Sequence, residues 1–321
     1  NWLLNTTVSA TDIIAGDTII ITCELTGNEA EALTSQFDII KVRSEPSIEL
    51  TSLGDGQYTG IPTNALRTHF YCETTDGETV DPIGASVLVK PGSPVAVETV
   101  LETPSASAGV PVGVDCVFYD GWGNSIEGAP LSATVETDTI LELYRGIDSL
   151  FILHGTLVGT YPVACNIGEE LVDVTPEQLT ITPGIPAQSE TVVSANVADP
   201  TETVSATCSY FDLFGNPVDG LETSLFVMAG NGGSDGETGL TQVDMSFSAT
   251  QAGEYYVFCT SPGYNAGDES PAQVTVIPGL PYSWVIDTLE QDCYWQDRNI
   301  PIEWTVYDFW GNPVPEVDVQ V

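Results

Sequence analysis

The sequence predicts an all-β chain built as small β-sandwich domains in tandem, and three observations predict it. Cysteines fall in pairs, Cys23 with Cys72, Cys116 with Cys165 and Cys208 with Cys259, at separations of 49, 49 and 51 residues. The first cysteine of each pair recurs about every 92 residues, too long for a solenoid unit and suited to a small sandwich with its own core. Apolar residues alternate with polar ones, and no long stretch carries the 3.6-residue period of a helix.

Punctuation places the boundaries. Pro91-Gly92-Ser93-Pro94, Pro183-Gly184-Ile185-Pro186 and Pro278-Gly279-Leu280-Pro281 each follow an alternating run such as Val87-Leu88-Val89. Proline removes a donor and fixes φ, so a strand must stop there. The repeats are therefore 1–91, 92–183, 184–278 and 279–321, the last read as the start of a fourth domain. Linkers this short and proline-bearing act as stiff spacers, which predicts an extended rod. Before the second cysteine, Gly159-Thr160-Tyr161-Pro162-Val163-Ala164-Cys165 matches Gly253-Glu254-Tyr255-Tyr256-Val257-Phe258-Cys259. A period of two turns Tyr, Val and Cys to one face, where a bridge between two sheets belongs. The first repeat offers Thr68, Phe70 and Cys72 at those offsets. Alternation also predicts a single strand through Val243, Met245 and Phe247. In the fourth repeat Trp304 takes the first cysteine's place, and Cys293 is expected to pair beyond Val321. Trp2 precedes Cys23 much as Trp284 precedes Trp304, so the chain reads as part of a longer repetitive protein.

The charge excludes whole classes of partner. There are 46 acidic residues against 6 Lys and Arg, a formal net of -40. Four cations, Lys41, Arg43, Arg67 and Lys90, lie in the first repeat, and 187–277 contains none. Nucleic acid needs clustered Lys and Arg, so it is not a partner. No run is long and apolar enough for a membrane helix, so direct insertion of this segment is not expected. The acid either keeps the protein soluble in a saline medium or takes up Ca²⁺. Paired cysteines without a C-x-x-C motif, and with His69 and His154 the only histidines, indicate disulfides in an oxidising, extracellular compartment. Each bridge closes a loop worth about 4 kcal/mol on the chain-entropy model.

The strongest local signature follows the first cysteine. Tyr119-Asp120-Gly121-Trp122-Gly123-Asn124-Ser125-Ile126 matches Phe211-Asp212-Leu213-Phe214-Gly215-Asn216-Pro217-Val218 and Tyr307-Asp308-Phe309-Trp310-Gly311-Asn312-Pro313-Val314. Asp accepts bonds from turn N–H groups and Gly-Asn tolerates positive φ, so this is a tight turn. The first repeat keeps only Gly27-Asn28. This motif, with the downstream Gly-x-Tyr-x-Val, resembles the bacterial Ig-like tandem repeats of invasin- and intimin-type surface proteins. The resemblance implies Ig-like sandwiches and a stalk with varied tips. The cysteine pair is an addition to that family's pattern, similar to the inter-sheet bridge of immunoglobulin domains.

Candidate sites are few. Trp122, Phe214 and Trp310 either cap their own cores or pack on a neighbouring domain or chain. No cofactor is required. Ca²⁺ is the ion whose ligands the turn could begin to assemble, from Asp120 with Glu127, Asp212 with Asp219 and Asp308 with Glu316. Asn231 to Gly236 reads as a flexible loop, and Asn5-Thr6-Thr7 is the sole glycosylation sequon. No nucleophile elbow or phosphate loop appears, so an enzyme is not expected. The expected function is a stalk or fibre segment of a prokaryotic cell-surface protein, for adhesion or filament assembly. Its partners would be further copies, surface proteins or glycans. The rivals are a glycan- or protein-binding module, Ca-dependent or not, and an accessory region of a secreted enzyme.

Overall fold

The computed structural model describes residues 3–26, 39–127, 133–137, 141–145, 151–230, 239–264, 267–268, 271–286 and 303–317. Trp2, Gly27-Asn28, the 231–236 loop and Cys293 lie outside the described residues. The chain divides into two compact units, Asn1–Ile181 and Thr182–Val321. Among the described residues no helix is long and apolar enough to cross a membrane.

The first unit holds two sandwiches. In the first, the strands are β1 (Leu3–Val8), β2 (Asp12–Ile14), β3 (Ile19–Thr26), β4 (Ile40–Glu45), β5 (Leu50–Gly54), β6 (Gln57–Gly60), β7 (Arg67–Thr74) and β8 (Ala85–Lys90). One sheet runs β1-β3-β6-β5 and the other β2-β8-β7-β4. Strand β2 joins β8 in parallel while its predecessor β1 pairs antiparallel with β3, so the chain switches sheets between them. This is the strand arrangement of an Ig-like sandwich. The second sandwich has β9 (Ala96–Leu101), β10 (Ser105–Ser107), β11 (Pro111–Tyr119), β12 (Ser125–Ile126), β13 (Ala133–Thr137), β14 (Glu142–Arg145), β15 (Phe151–His154), β16 (Gly159–Ile167), β17 (Leu171–Val172) and β18 (Glu177–Thr182). Its two sheets, β9-β11-β15-β14 and β10-β18-β16-β13, repeat that order.

The second unit begins with a third sandwich of β19 (Pro186–Val193), β20 (Val197–Ala198), β21 (Val204–Asp212), β22 (Ser224–Ala229), β23 (Thr241–Val243), β24 (Ser246–Ser248), β25 (Gly253–Thr260) and β26 (Ala272–Val276). The sheets are β19-β21-β24-β23 and β20-β26-β25-β22. The single strand expected through Val243 and Phe247 is instead two. Asp244 adopts φ of 49° and, with Met245, turns the chain between β23 and β24. An alternating pattern survives a two-residue hairpin, so periodicity alone does not expose the turn. Of the fourth repeat the described part is an antiparallel pair, β27 (Ser283–Ile286) and β28 (Trp304–Tyr307).

Alternation produces the cores. Tyr161, Val163 and Cys165 are buried on β16, as are Tyr255, Val257 and Cys259 on β25 and Thr68, Phe70 and Cys72 on β7. Each buried aliphatic or aromatic side chain contributes about 1.5–3 kcal/mol. The bridges Cys23–Cys72, Cys116–Cys165 and Cys208–Cys259 join the facing sheets, with Cα atoms 5.8, 5.7 and 5.7 Å apart. Tyr161 and Tyr255 donate their hydroxyls to Leu157 O and Gln251 O, at 3.0 and 2.9 Å, fixing the turn before the bridge.

Candidate functional site

The turn motif is built around one carboxylate. At the end of β11, Asp120 N–H donates to Asn124 O and Gly123 N–H donates to Asp120 O, both at 3.0 Å. Gly123 has φ of 81°, and Gly215 and Gly311 have 82° and 85°, a conformation that favours glycine. Asp120 Oδ1 accepts from the N–H groups of Trp122 and Asn124, each at 2.9 Å. Its Oδ2 accepts from Asn124 Nδ2 at 2.8 Å and from the linker N–H of Gly92 at 2.9 Å. Asp212 holds Phe214, Asn216 and Gly184 in the same way, and Asp308 holds Trp310, Asn312 and Gly279. One buried aspartate thus closes a turn and pins the linker that precedes its domain.

Electrostatics agree with an anchor. Burial by itself raises the Asp120 carboxyl, but the bonds donated by the Asn124 side chain, Gly92, Asn124 and Trp122 outweigh it and lower the pKa to about 2. Asp212 and Asp308 are lowered against the same opposing burial by the matching donors.

The asparagine reaches the preceding sandwich. In the first unit Asn124 Oδ1 accepts from Ala65 N–H at 2.7 Å, and its Nδ2 donates to Thr63 O at 2.7 Å. In the second unit Asn312 Oδ1 accepts from Ala252 N–H at 2.9 Å, and Nδ2 donates to Thr250 O at 2.8 Å. The side-chain amide behaves as a peptide group, pairing with a C=O and an N–H two residues apart in the loop that enters β7 or β25. Since Asn Nδ2 also bonds the anchoring aspartate, turn, linker and neighbouring domain form one network.

Two of the turn aromatics, Trp122 and Trp310, lie at the same joints. Trp122, Phe214 and Trp310 are 57, 43 and 40 % exposed, and none joins a buried core cluster among the described residues. Trp122 lies against Gly16 of the preceding sandwich; a Cβ there would stand 2.6 Å from its Nε1. Trp310 lies beside linker Gly279 and Pro200, edge-on to Phe309 with ring centroids 5.5 Å apart. Phe309 in turn meets Tyr282 edge-on at 5.1 Å. These rings, with Asp199, Pro200 and Pro281, line an open cleft of about 560 Å³, within the usual range for small-ligand sites.

The remaining candidates are dispersed. Glu127, Asp219 and Glu316 are exposed in the segments after their turns. Among the described residues no group of three or more His, Cys, Asp or Glu side chains comes together as a metal site. Asn5 points to solvent from β1, an edge strand, with Nδ2 3.5 Å from Glu24 Oε2.

A second network escaped the sequence reading. Thr6, Thr99 and Thr191 pair with Cys23, Cys116 and Cys208 across the first sheet. Their Oγ1 atoms accept the N–H of Cys72, Cys165 and Cys259 at 3.0, 2.9 and 2.9 Å, so each threonine ties one sheet to the other beside the disulfide. Asp81 and Asp173 accept the N–H of Thr6 and Thr99 at 2.8 Å, and Asp268 accepts the Thr191 hydroxyl. The signal was present: a threonine stands at one fixed distance before each first cysteine. In the fourth repeat Ile286 pairs with Trp304, so both members of that position are replaced together.

Solved structures that resemble this chain include bacterial adhesins and an I-band fragment of titin. The Escherichia coli adhesin FdeC matches with a TM-score of 0.53 at 18% identity, covering 85% of this chain and 96% of that one. InvD of Yersinia pseudotuberculosis matches at 16% identity and a TM-score of 0.43, over 85% of this chain and 84% of its own. Invasin, described as a bacterial integrin-binding protein, matches at 15% identity and a TM-score of 0.44, over 88% of this chain and 62% of its own. No protein-family model and no curated protein matches the sequence. At such identities the likeness is one of fold: the chain is built of tandem Ig-like sandwiches, an architecture it shares with the adhesin FdeC.

Proposed function

We propose that this chain is a stiff extracellular spacer in a prokaryotic surface protein of the adhesion type. The observation that carries the reading is the asparagine lock, made in the same way by Asn124 and Asn312 onto the backbone of the sandwich before. A joint held by a buried aspartate on the linker and a two-point amide contact resists bending, whereas a flexible tether needs neither. The bridges, each backed by a threonine, suit an oxidising exterior, and the fold shared with FdeC supports a surface role. Small-angle scattering of the chain tests the proposal. An extended particle of nearly fixed maximum dimension is expected; a compact globule, or a broad distribution of lengths, would sink it.

The cleft of Tyr282, Phe309 and Trp310 favours a second reading, a glycan-binding module, because exposed rings stack on sugar faces and Asp199 could accept hydroxyl bonds. Titration with neutral oligosaccharides while following Trp fluorescence decides it, and an unchanged spectrum would remove it.

A further inference from the structure

The outward face of the second sheet differs among the three sandwiches although the strand order is shared. On the first sandwich it carries Lys41 and Arg43 from β4, Arg67, His69 and Tyr71 from β7, and Lys90 from β8. Four of the 6 Lys and Arg of the whole chain thus lie on one sheet face. The Arg43 guanidinium sits 4.7 Å from the Tyr71 ring centroid. Lys41 and Arg43 pair with Glu73 at 3.2 and 3.6 Å, Arg43 also with Glu45, and Lys90 with Asp12 at 3.2 Å. Arg67 donates to Ser86 at 3.2 Å and makes no ion pair among the described residues. In a chain of net charge -40 this face sets its four cations beside Asp12, Glu45 and Glu73.

The second sandwich presents small and polar residues there: Thr134 and Glu136 on β13, Thr160 and Pro162 on β16. The third presents apolar ones. Phe226 and Met228 of β22 are 56 and 46 % exposed, beside Phe258 and Tyr256 of β25. The Phe226 and Phe258 rings lie 6.2 Å apart, and Glu254 flanks them on β25. Residues 187–277 contain no Lys or Arg at all.

We propose that the Lys41–Arg43–Arg67–Tyr71 face of one copy docks on the Phe226–Phe258–Glu254 face of a second copy. Charge selects this pairing. A cation-bearing face here meets one that has carboxylate and exposed rings but no cation. Arg43, already seated on an aromatic ring, can share its guanidinium with Phe226, and Arg67, which makes no close ion pair of its own among the described residues, meets Glu254. Burial of Phe226 and Met228 supplies the apolar area that ion pairing at a surface does not. The contact is heterologous, each copy offering one of the two faces. It is independent of whether the chain is a spacer.

Sedimentation velocity of the full chain over a rising concentration series in about 0.15 M NaCl tests this, since long-range repulsion is then screened beyond about 8 Å. The unaltered chain should associate. Arg67→Glu and Glu254→Arg should each weaken association roughly tenfold, and the double variant should regain most of it, because an exchanged pair restores the attraction. Phe226→Ser should weaken association with the melting curve preserved, as the side chain is outside the core. A chain that stays monomeric throughout overturns the proposal. So does Glu254→Arg strengthening association while Arg67→Glu changes nothing, which would mean that the third face pairs with itself.

Discussion

The two joints use the same polar lock and different apolar packing. In both, one aspartate pins the linker glycine and one asparagine pairs with the loop entering the bridged strand. At the first, Gly16, with φ of 91°, leaves room for Trp122 to lie on the backbone. At the second, Thr201 takes that place: its N–H bonds Ala249 O as Gly16 N–H bonds Pro62 O, and its φ is 69°. A threonine there has a side chain where the first joint has an indole, and Trp310 instead lies against Gly279 and Pro200. The lesson is that the lock is common to both joints, while the residue opposite the turn, Gly16 or Thr201, goes with a different seat for the aromatic.

The largest expected effect breaks the shared part. Asp120→Ala strands four donors at once and should destabilise by about 3 kcal/mol, with Asp308→Ala comparable, as read from chemical denaturation. The sign with pH follows from the lowered carboxyl. Its stabilisation is complete above the unfolded value of about 3.9 and fades as pH falls toward the folded value of about 2. The melting temperatures of the unaltered chain and of Asp120→Asn should therefore converge over that interval. A constant gap would deny the carboxylate its role.

The next effect separates the joints. Gly16→Ala places a Cβ into Trp122 at positive φ and should cost about 2 kcal/mol, whereas Thr201→Gly relieves backbone strain and should stabilise by about 1 kcal/mol. Equal signs from the two variants would erase the distinction. Asn124→Ala and Asn312→Ala should each cost about 1–2 kcal/mol and, more tellingly, broaden the scattering-derived length distribution without loss of sandwich structure. The smallest effect concerns Ca²⁺. Because each oxygen of Asp120 and Asp308 already accepts two N–H bonds, we expect millimolar Ca²⁺ to raise the melting temperature no more than Na⁺ at equal ionic strength. A larger shift with Ca²⁺ would place a cation site at these turns.

Much of this was legible in the sequence, and the exceptions have a common cause. The bridges, the strands leading to Cys165 and Cys259 and the three turns show up because they repeat, or because a side-chain type at a fixed spacing has one physical use. The threonines beside the cysteines were equally periodic and simply went unread. The partners of Asn124 and Asn312 were not legible. Thr63, Ala65, Thr250 and Ala252 contribute only backbone C=O and N–H, which every residue but proline possesses, so no side chain marks them. The hairpin at Asp244 was hidden because its polar-apolar alternation continues through the turn.

The sequence by itself therefore determined the sandwiches, their staples and the turn chemistry, all of which depend on local pattern and spacing. Tertiary structure decided what each turn touches and which outward faces carry charge or exposed rings. Those depend on strand register and on backbone atoms brought together from distant segments, and a linear pattern does not encode such a meeting.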